Sequence, residues 1–136
     1  MRPVTSRSDP VVVDASALVD VLLGKELGRA AADRLKTFEL HAPAHFDFEV
    51  LSALGRVCRA GKIGPAGVSV ALRGLRRAPI HRHPIVDLVE GAWARRDNIW
   101  VADALYVELA HRLDTIVLTT DARLARATHL ADLVTV

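Results

Sequence analysis

Aromatic residues are scarce: three Phe, two Trp and one Tyr make up 4% of 136 residues. Because 51% of the chain is hydrophobic, its core must be aliphatic, built from Val, Leu, Ile and Ala. A single cysteine, Cys58, excludes an internal disulfide and fits a reducing cytosol. Beside Val57 in a helical pattern, it reads as a small buried hydrophobe. No apolar run is long enough to span a bilayer. The polar start, with Pro3 and Pro10, has no apolar segment of a signal peptide. Residues 1–10 therefore read as a loose tail and 11–136 as one cytoplasmic domain. No Gly-rich phosphate loop follows the first apolar run, which excludes a Rossmann or P-loop nucleotide site. The six His are scattered. His81 and His83 could share a strand face, but no carboxylate or Cys accompanies them at zinc-site spacing, so no His-built metal site is expected. The net charge of +2 excludes little. Of 18 basic residues 15 are Arg, which suits bidentate contact with phosphate, although genomic base composition enriches Arg too.

What the chain does contain is a rhythm of short apolar runs and amphipathic segments, without repeats or low-complexity stretches. Val11-Val12-Val13 is β-branched throughout and reads as a strand buried on both faces, the type found inside parallel sheets. A helix over 16–23 follows, closed by Gly24, and a second over 26–38. Leu40-His41-Ala42 reads as a short strand stopped by Pro43. Residues 45–59 form a helix ended by Gly61, and 65–76 another with Pro65 in its first turn. Residues 78–81 make a marginal strand that Pro79 confines to an edge. Residues 84–96 and 100–113 read as helices, 115–119 as a second buried strand, 121–127 as a short helix and 133–136 as a final strand. This alternation predicts an α/β fold: a three-layer α/β/α sandwich around a parallel sheet of about five strands, with 11–13 and 116–118 in the middle.

Both central strands end just before an acid, Asp14 and Asp121, and in a parallel sheet equivalent ends share one edge, where ligands bind in open α/β folds. Each acid also precedes a helix, so each could simply be an N-cap. Glu49 sits in Phe46-Asp47-Phe48-Glu49-Val50-Leu51, among residues that favour burial, with small Ala53 one turn on. Its alternative is a solvated helix face. Asp103 is the only acid in Trp100-Val101-Ala102-Asp103-Ala104-Leu105-Tyr106, although its place in a first helical turn also suits the dipole. Asp20, Asp33, Asp87, Glu90, Asp97, Glu108 and Asp132 have surface contexts; Asp20 and Asp47 could support a site from behind. No Lys or Arg adjoins the four selected acids in sequence. At about 4 Å each like-charge pair costs roughly 1 kcal/mol in water and about 4 at an effective dielectric of 20. A divalent cation is then the natural counter-charge, and an all-oxygen set favours Mg²⁺ or Mn²⁺ over zinc.

Four ordered motifs resemble those of PIN-domain ribonucleases, specifically the VapC-type toxins of VapBC toxin–antitoxin pairs. They are Val-Val-Asp14-Ala-Ser16-Ala, Phe48-Glu49-Val-Leu-Ser-Ala-Leu, Ala102-Asp103-Ala-Leu-Tyr106-Val-Glu-Leu-Ala and Leu118-Thr119-Thr-Asp121-Ala-Arg-Leu. The likeness spans nearly the whole chain, while 63–96 carries no family motif. It implies a PIN fold and metal-dependent endoribonuclease activity on tRNA, rRNA or mRNA. Asp14, Glu49, Asp103 and Asp121 would be the acidic quartet, with Asp14 and Asp103 the most direct ligands. Ser16 and Thr119 would orient ligands or water, or else act as cap and strand-end hydroxyls. It also implies a VapB-type antitoxin, expected to insert a basic residue into the acidic pit, and a homodimer.

Setting the four acids aside leaves 12 acidic residues against 18 basic ones, a body of charge +6 around an acidic pit. That suits a polyanionic substrate, with Arg56, Arg59, Arg73, Arg76, Arg77, Arg95 and Arg96 as candidates for backbone contact. The competing reading is a PIN-like module that binds RNA or protein without cutting, but pure binding gives no reason to concentrate negative charge against RNA. A haloacid-dehalogenase-like phosphatase would need a second Asp where Ser16 stands.

Overall fold

The computed structural model describes residues 9–136. Strand β1 (Pro10–Val13) is the all-Val run, and its three valines are fully buried. After it come α1 (Ala15–Leu22), α2 (Glu26–Leu35), β2 (Glu39–Pro43), α3 (Phe46–Arg59), α4 (Pro65–Arg77) and β3 (Ile80–His83). A 3₁₀ turn (Ile85–Asp87) leads to α5 (Val89–Ala94), α6 (Val101–Arg112), β4 (Val117–Thr119), α7 (Ala122–Ala127) and β5 (Ala131–Leu133). The tail expected over 1–10 lies outside the described residues up to position 8. Asp9 and Pro10 belong to the fold, because Pro10 opens β1 and the buried Asp9 carbonyl accepts the Glu39 N–H at 2.8 Å.

All strands run parallel in the order β3-β2-β1-β4-β5. The chain moves outward from β1 through β2 to β3, then returns to the other side of β1 for β4. The direction of winding thus reverses between β1 and β4, the place where such sheets open a crevice at their carboxyl edge. Helices α1 to α4 pack on one another, whereas α6 lies across β1, β2 and β4 and carries α5. With the sheet between these groups, the architecture is the three-layer α/β/α sandwich. Among the described residues no helix is long and apolar enough to cross a membrane.

Gly24 (φ +68°) and Gly61 (φ +76°) adopt the left-handed conformation just past α1 and α3, as helix-ending glycines do. Three segments depart from the periodicity. β3 starts two residues late because Pro79 cannot join the ladder, and it runs along the edge to His83. The helix expected over 84–96 breaks at Leu88, whose side chain anchors in the core while its backbone turns from the 3₁₀ segment into α5. The last strand pairs as Val117↔Ala131 and Thr119↔Leu133, so it ends where 133–136 was expected to begin.

The β2–β3 register sets His41 beside His81, and all three edge imidazoles meet. His41 Nδ1 lies 2.8 Å from His83 Nε2, and its ring stacks on His81 at 4.9 Å. Glu39 supplies the carboxylate that linear spacing does not show, 2.7 Å from His41 Nε2. Burial, with His41 and His81 alongside, holds the His83 imidazole below its ordinary pKa. Glu108 also departs from its surface assignment. It is 8% exposed and bound by Arg95 at 3.2 Å and Arg112 at 2.9 Å. Burial would raise its pKa, and the Arg112 and Arg95 bonds more than offset that and hold it low.

Helix α2 approaches α1 through Gly28, where an added Cβ would collide with the backbone of Asp20 and Val21. Gly28→Ala should therefore destabilise the fold by about 1–3 kcal/mol, because backbone on both helices must separate. The check is a lowered urea midpoint. An unchanged or raised midpoint, as for Gly→Ala in an unhindered helix, would contradict this packing.

Candidate active site

The Asp14 backbone continues the sheet, its N–H donating to the Leu118 carbonyl at 3.0 Å before the chain turns into α1. Asp14 occupies the N-cap position of α1, yet its side chain makes no cap hydrogen bond. Its Oδ2 instead accepts the hydroxyls of Ser16 at 2.6 Å and Thr119 at 2.8 Å. Those hydroxyls are themselves aligned by backbone: the Asp121 N–H donates to Thr119 Oγ1 at 2.9 Å and the Thr120 N–H to Ser16 Oγ at 3.3 Å. Each hydroxyl accepts a hydrogen bond from the main chain and donates one to Asp14. Asp14 is thereby clamped across the β1/β4 junction, 6% exposed. Burial pushes its pKa up, the Ser16 and Thr119 bonds pull against that, and the charges of Asp103 and Glu49 raise it further.

The other three acids come from separate elements. Glu49 projects from the first turn of α3 and Asp103 from that of α6, while Asp121 precedes α7. Asp121 is a true cap, with Oδ1 accepting the Arg123 N–H at 2.9 Å. All four acids line one cavity of about 340 Å³, together with Ser16, Asp20 and Arg56. Asp47 does not join them, because it pairs with Arg82 at 2.9 Å. The surroundings of Glu49 are half as expected: Phe46 and Val50 are buried, whereas Phe48 and Leu51 face solvent.

Two partners of the acids were not legible as such. Tyr106, the only Tyr, is wholly buried and donates its hydroxyl to Glu49 Oε1 at 2.6 Å. Burial, the Asp14 charge and the bond to Glu49 all push its phenol pKa far up, so it remains a donor. A lone phenol one turn after Asp103 in an aliphatic core was the available signal. The second is Arg123. The sequence offered no basic residue adjoining the acids, but this one lies two positions past Asp121. Its Nη2 donates to Asp103 Oδ2 at 2.8 Å and to Asp121 Oδ2 at 3.1 Å. The Asp103 bond, ahead of the combined acidic charge, raises the Arg123 pKa. Of the arginines considered for RNA, Arg56 reaches the cavity wall, Arg95 is committed to Glu108, and Arg96 lies over Trp93 at 4.7 Å.

The donor set is all carboxylate oxygen, which suits a hard divalent ion. Among the described residues no three Asp, Glu, His or Cys side chains already stand as a coordination shell. Asp14, Glu49, Asp103 and Asp121 are each engaged by a protein partner instead. The cavity and the chemistry therefore fit Mg²⁺ or Mn²⁺ once Arg123 yields Asp103 and Asp121.

Residues 11–130 match the family profile described as the PIN domain. The chain belongs to the PIN-domain family. Ribonuclease VapC3 of Mycobacterium tuberculosis is 54% identical to it over 125 residues, 90% of each chain. Ribonuclease VapC12 of the same species is 36% identical over 117 residues, 86% of this chain and 91% of that one. Among solved structures, PAE2754 from Pyrobaculum aerophilum superposes with a TM-score of 0.67 at 21% identity, over 93% of this chain and 85% of its own. At that identity the likeness shows the shared PIN fold.

A buried, clamped carboxylate whose pKa is raised costs stability while ionised. That cost is complete above the raised value, shrinks as pH falls below it and is gone below the ordinary Asp pKa. Without metal at pH 7, Asp14→Asn should raise the unfolding free energy by about 1 kcal/mol, the gain typical of relieving a functional site. The gain should shrink as pH falls toward 4. Urea titrations in EDTA across that range provide the check, and a variant less stable than wild type at pH 7 would contradict it.

Proposed function

We propose that this PIN-domain protein is a metal-dependent endoribonuclease and the toxin of a type II toxin–antitoxin pair, acting on tRNA, rRNA or mRNA. The observation that carries this reading is the convergence of four acids, from four elements, in one cavity at the β1/β4 switch point. The names of its VapC relatives support the same reading.

Asp14 and Asp103 would hold Mg²⁺ or Mn²⁺ directly, with Glu49 and Asp121 completing the set, partly through water. When bound, the ion supplies activation of water and neutralisation of charge on the phosphodiester under attack. The chain's own residues do the positioning. Ser16 and Thr119 fix the Asp14 carboxylate and offset part of the cost of burying it. The Tyr106 hydroxyl fixes one oxygen of Glu49, so its carboxylate enters the cavity in one orientation. Arg56 stands at the cavity wall, where the backbone of an entering strand needs a cation.

A VapB-type antitoxin and a second copy of the chain are the proposed protein partners. An apolar cavity of about 430 Å³ beside the pit, lined in part by Val89, Trp93, Val101 and Leu105, supports them. Trp93 in that lining is 61% exposed, an aromatic anchor open to a partner.

Purified protein should cleave RNA with Mg²⁺ or Mn²⁺ and stop in EDTA. Asp14→Asn and Asp103→Asn should each lose roughly 100-fold or more, as expected when several kcal/mol of charge stabilisation are removed. Sequencing RNA ends after induced expression would reveal the target in the same series. Equal cleavage by wild type and both variants would sink the proposal and favour a binding module.

A further inference from the structure

We infer that Arg123 is a built-in competitor for the metal: one guanidinium nitrogen bridges Asp103 and Asp121, and cation entry requires its displacement. This rests on the metal-dependent reading above and adds a control to it. The geometry is specific. Nη2 lies 2.8 Å from Asp103 Oδ2 and 3.1 Å from Asp121 Oδ2, so one donor satisfies the outer half of the acidic set. Asp103 is one of the two carboxylates proposed above to bind the ion directly, and an oxygen bonded to a guanidinium is a poor ligand.

The cation has a second contact in the same pose. The Arg123 guanidinium carbon lies 4.6 Å from the centre of the Trp100 ring, which is 73% exposed. An indole face holds a guanidinium without a carboxylate. Arg123 can therefore release the two acids and remain beside them. The backbone also limits how far it can go, because the same residue's N–H is held by Asp121 Oδ1 at 2.9 Å. Without metal, the bridge offsets the repulsion between Asp103 and Asp121. With metal, the ion takes over that task. The two cations alternate on the same oxygens, and the apparent metal affinity carries the cost of moving the first.

Mn²⁺ binding, followed by the loss of the free-ion electron paramagnetic resonance signal, tests this without reference to cleavage. Arg123→Ala and Arg123→Gln should each bind Mn²⁺ about tenfold more tightly than wild type, the effect of removing a pairing worth between its aqueous and protein-interior limits. Arg126→Ala removes the same charge from the same helix without touching the acids, and should stay within about twofold of wild type. Asp14→Asn should abolish the tight site, which places the ion in the pit. Equal affinity for wild type and both Arg123 variants would overturn the competition while leaving the metal site intact. Equal tightening by Arg126→Ala would overturn it too, since general charge would then account for the effect. No Mn²⁺ binding by any variant would overturn both the competition and the metal site.

Discussion

Four carboxylates drawn into one cavity repel one another, and much of this molecule's local design answers that repulsion. Asp14 is the most constrained, with 6% exposure at the junction of the two central strands. Two hydroxyls, each aligned by a backbone N–H, donate to the same Asp14 oxygen and offset part of the burial that raises its pKa. Glu49 is held by a buried phenol, and Asp103 and Asp121 by one guanidinium. Hydrogen bonds to an ionised acceptor are among the stronger ones. The hydroxyl donors to the inner pair, Asp14 and Glu49, are neutral, and that leaves a divalent cation its purchase.

The sheet explains why the acids meet at all. Winding outward from β1 to β3 and then returning for β4 leaves the carboxyl ends of β1 and β4 without a crossover above them. Asp14 leaves one strand directly and Asp121 follows the other by two residues. The first turns of α3 and α6 then bring Glu49 and Asp103 to the same opening. Each helix N-terminus presents a partial positive charge to these acids, which eases their crowding. The fold thus builds the pit from the ends of elements, where side chains project free of the packed layers.

The sheet and the four acids were legible because both follow from short-range pattern. An uninterrupted Val run announces a doubly buried strand, and an acid where burial is costly announces a partner. The supporting contacts were not legible, because they join positions distant in sequence. Arg123 reaches Asp103 across 20 positions and Tyr106 reaches Glu49 across 57. Asp14 read equally well as a helix cap, and only its hydroxyl partners separate the two roles, whereas Asp121 does cap. Glu108 looked like a surface acid until Arg95, 13 positions away, folded over it. The edges of the sheet were the least legible, since β3 and β5 are set by register with a neighbour rather than by their own apolar pattern.

If Asp14 anchors a divalent ion in this pit, anomalous scattering from a crystal grown with Mn²⁺ will show it. One strong peak is expected about 2.1 Å from a carboxylate oxygen of Asp14 and of Asp103, with Arg123 withdrawn from Asp103. A pit without a peak, or Mn²⁺ bound instead at the His41–His83 edge, would contradict it.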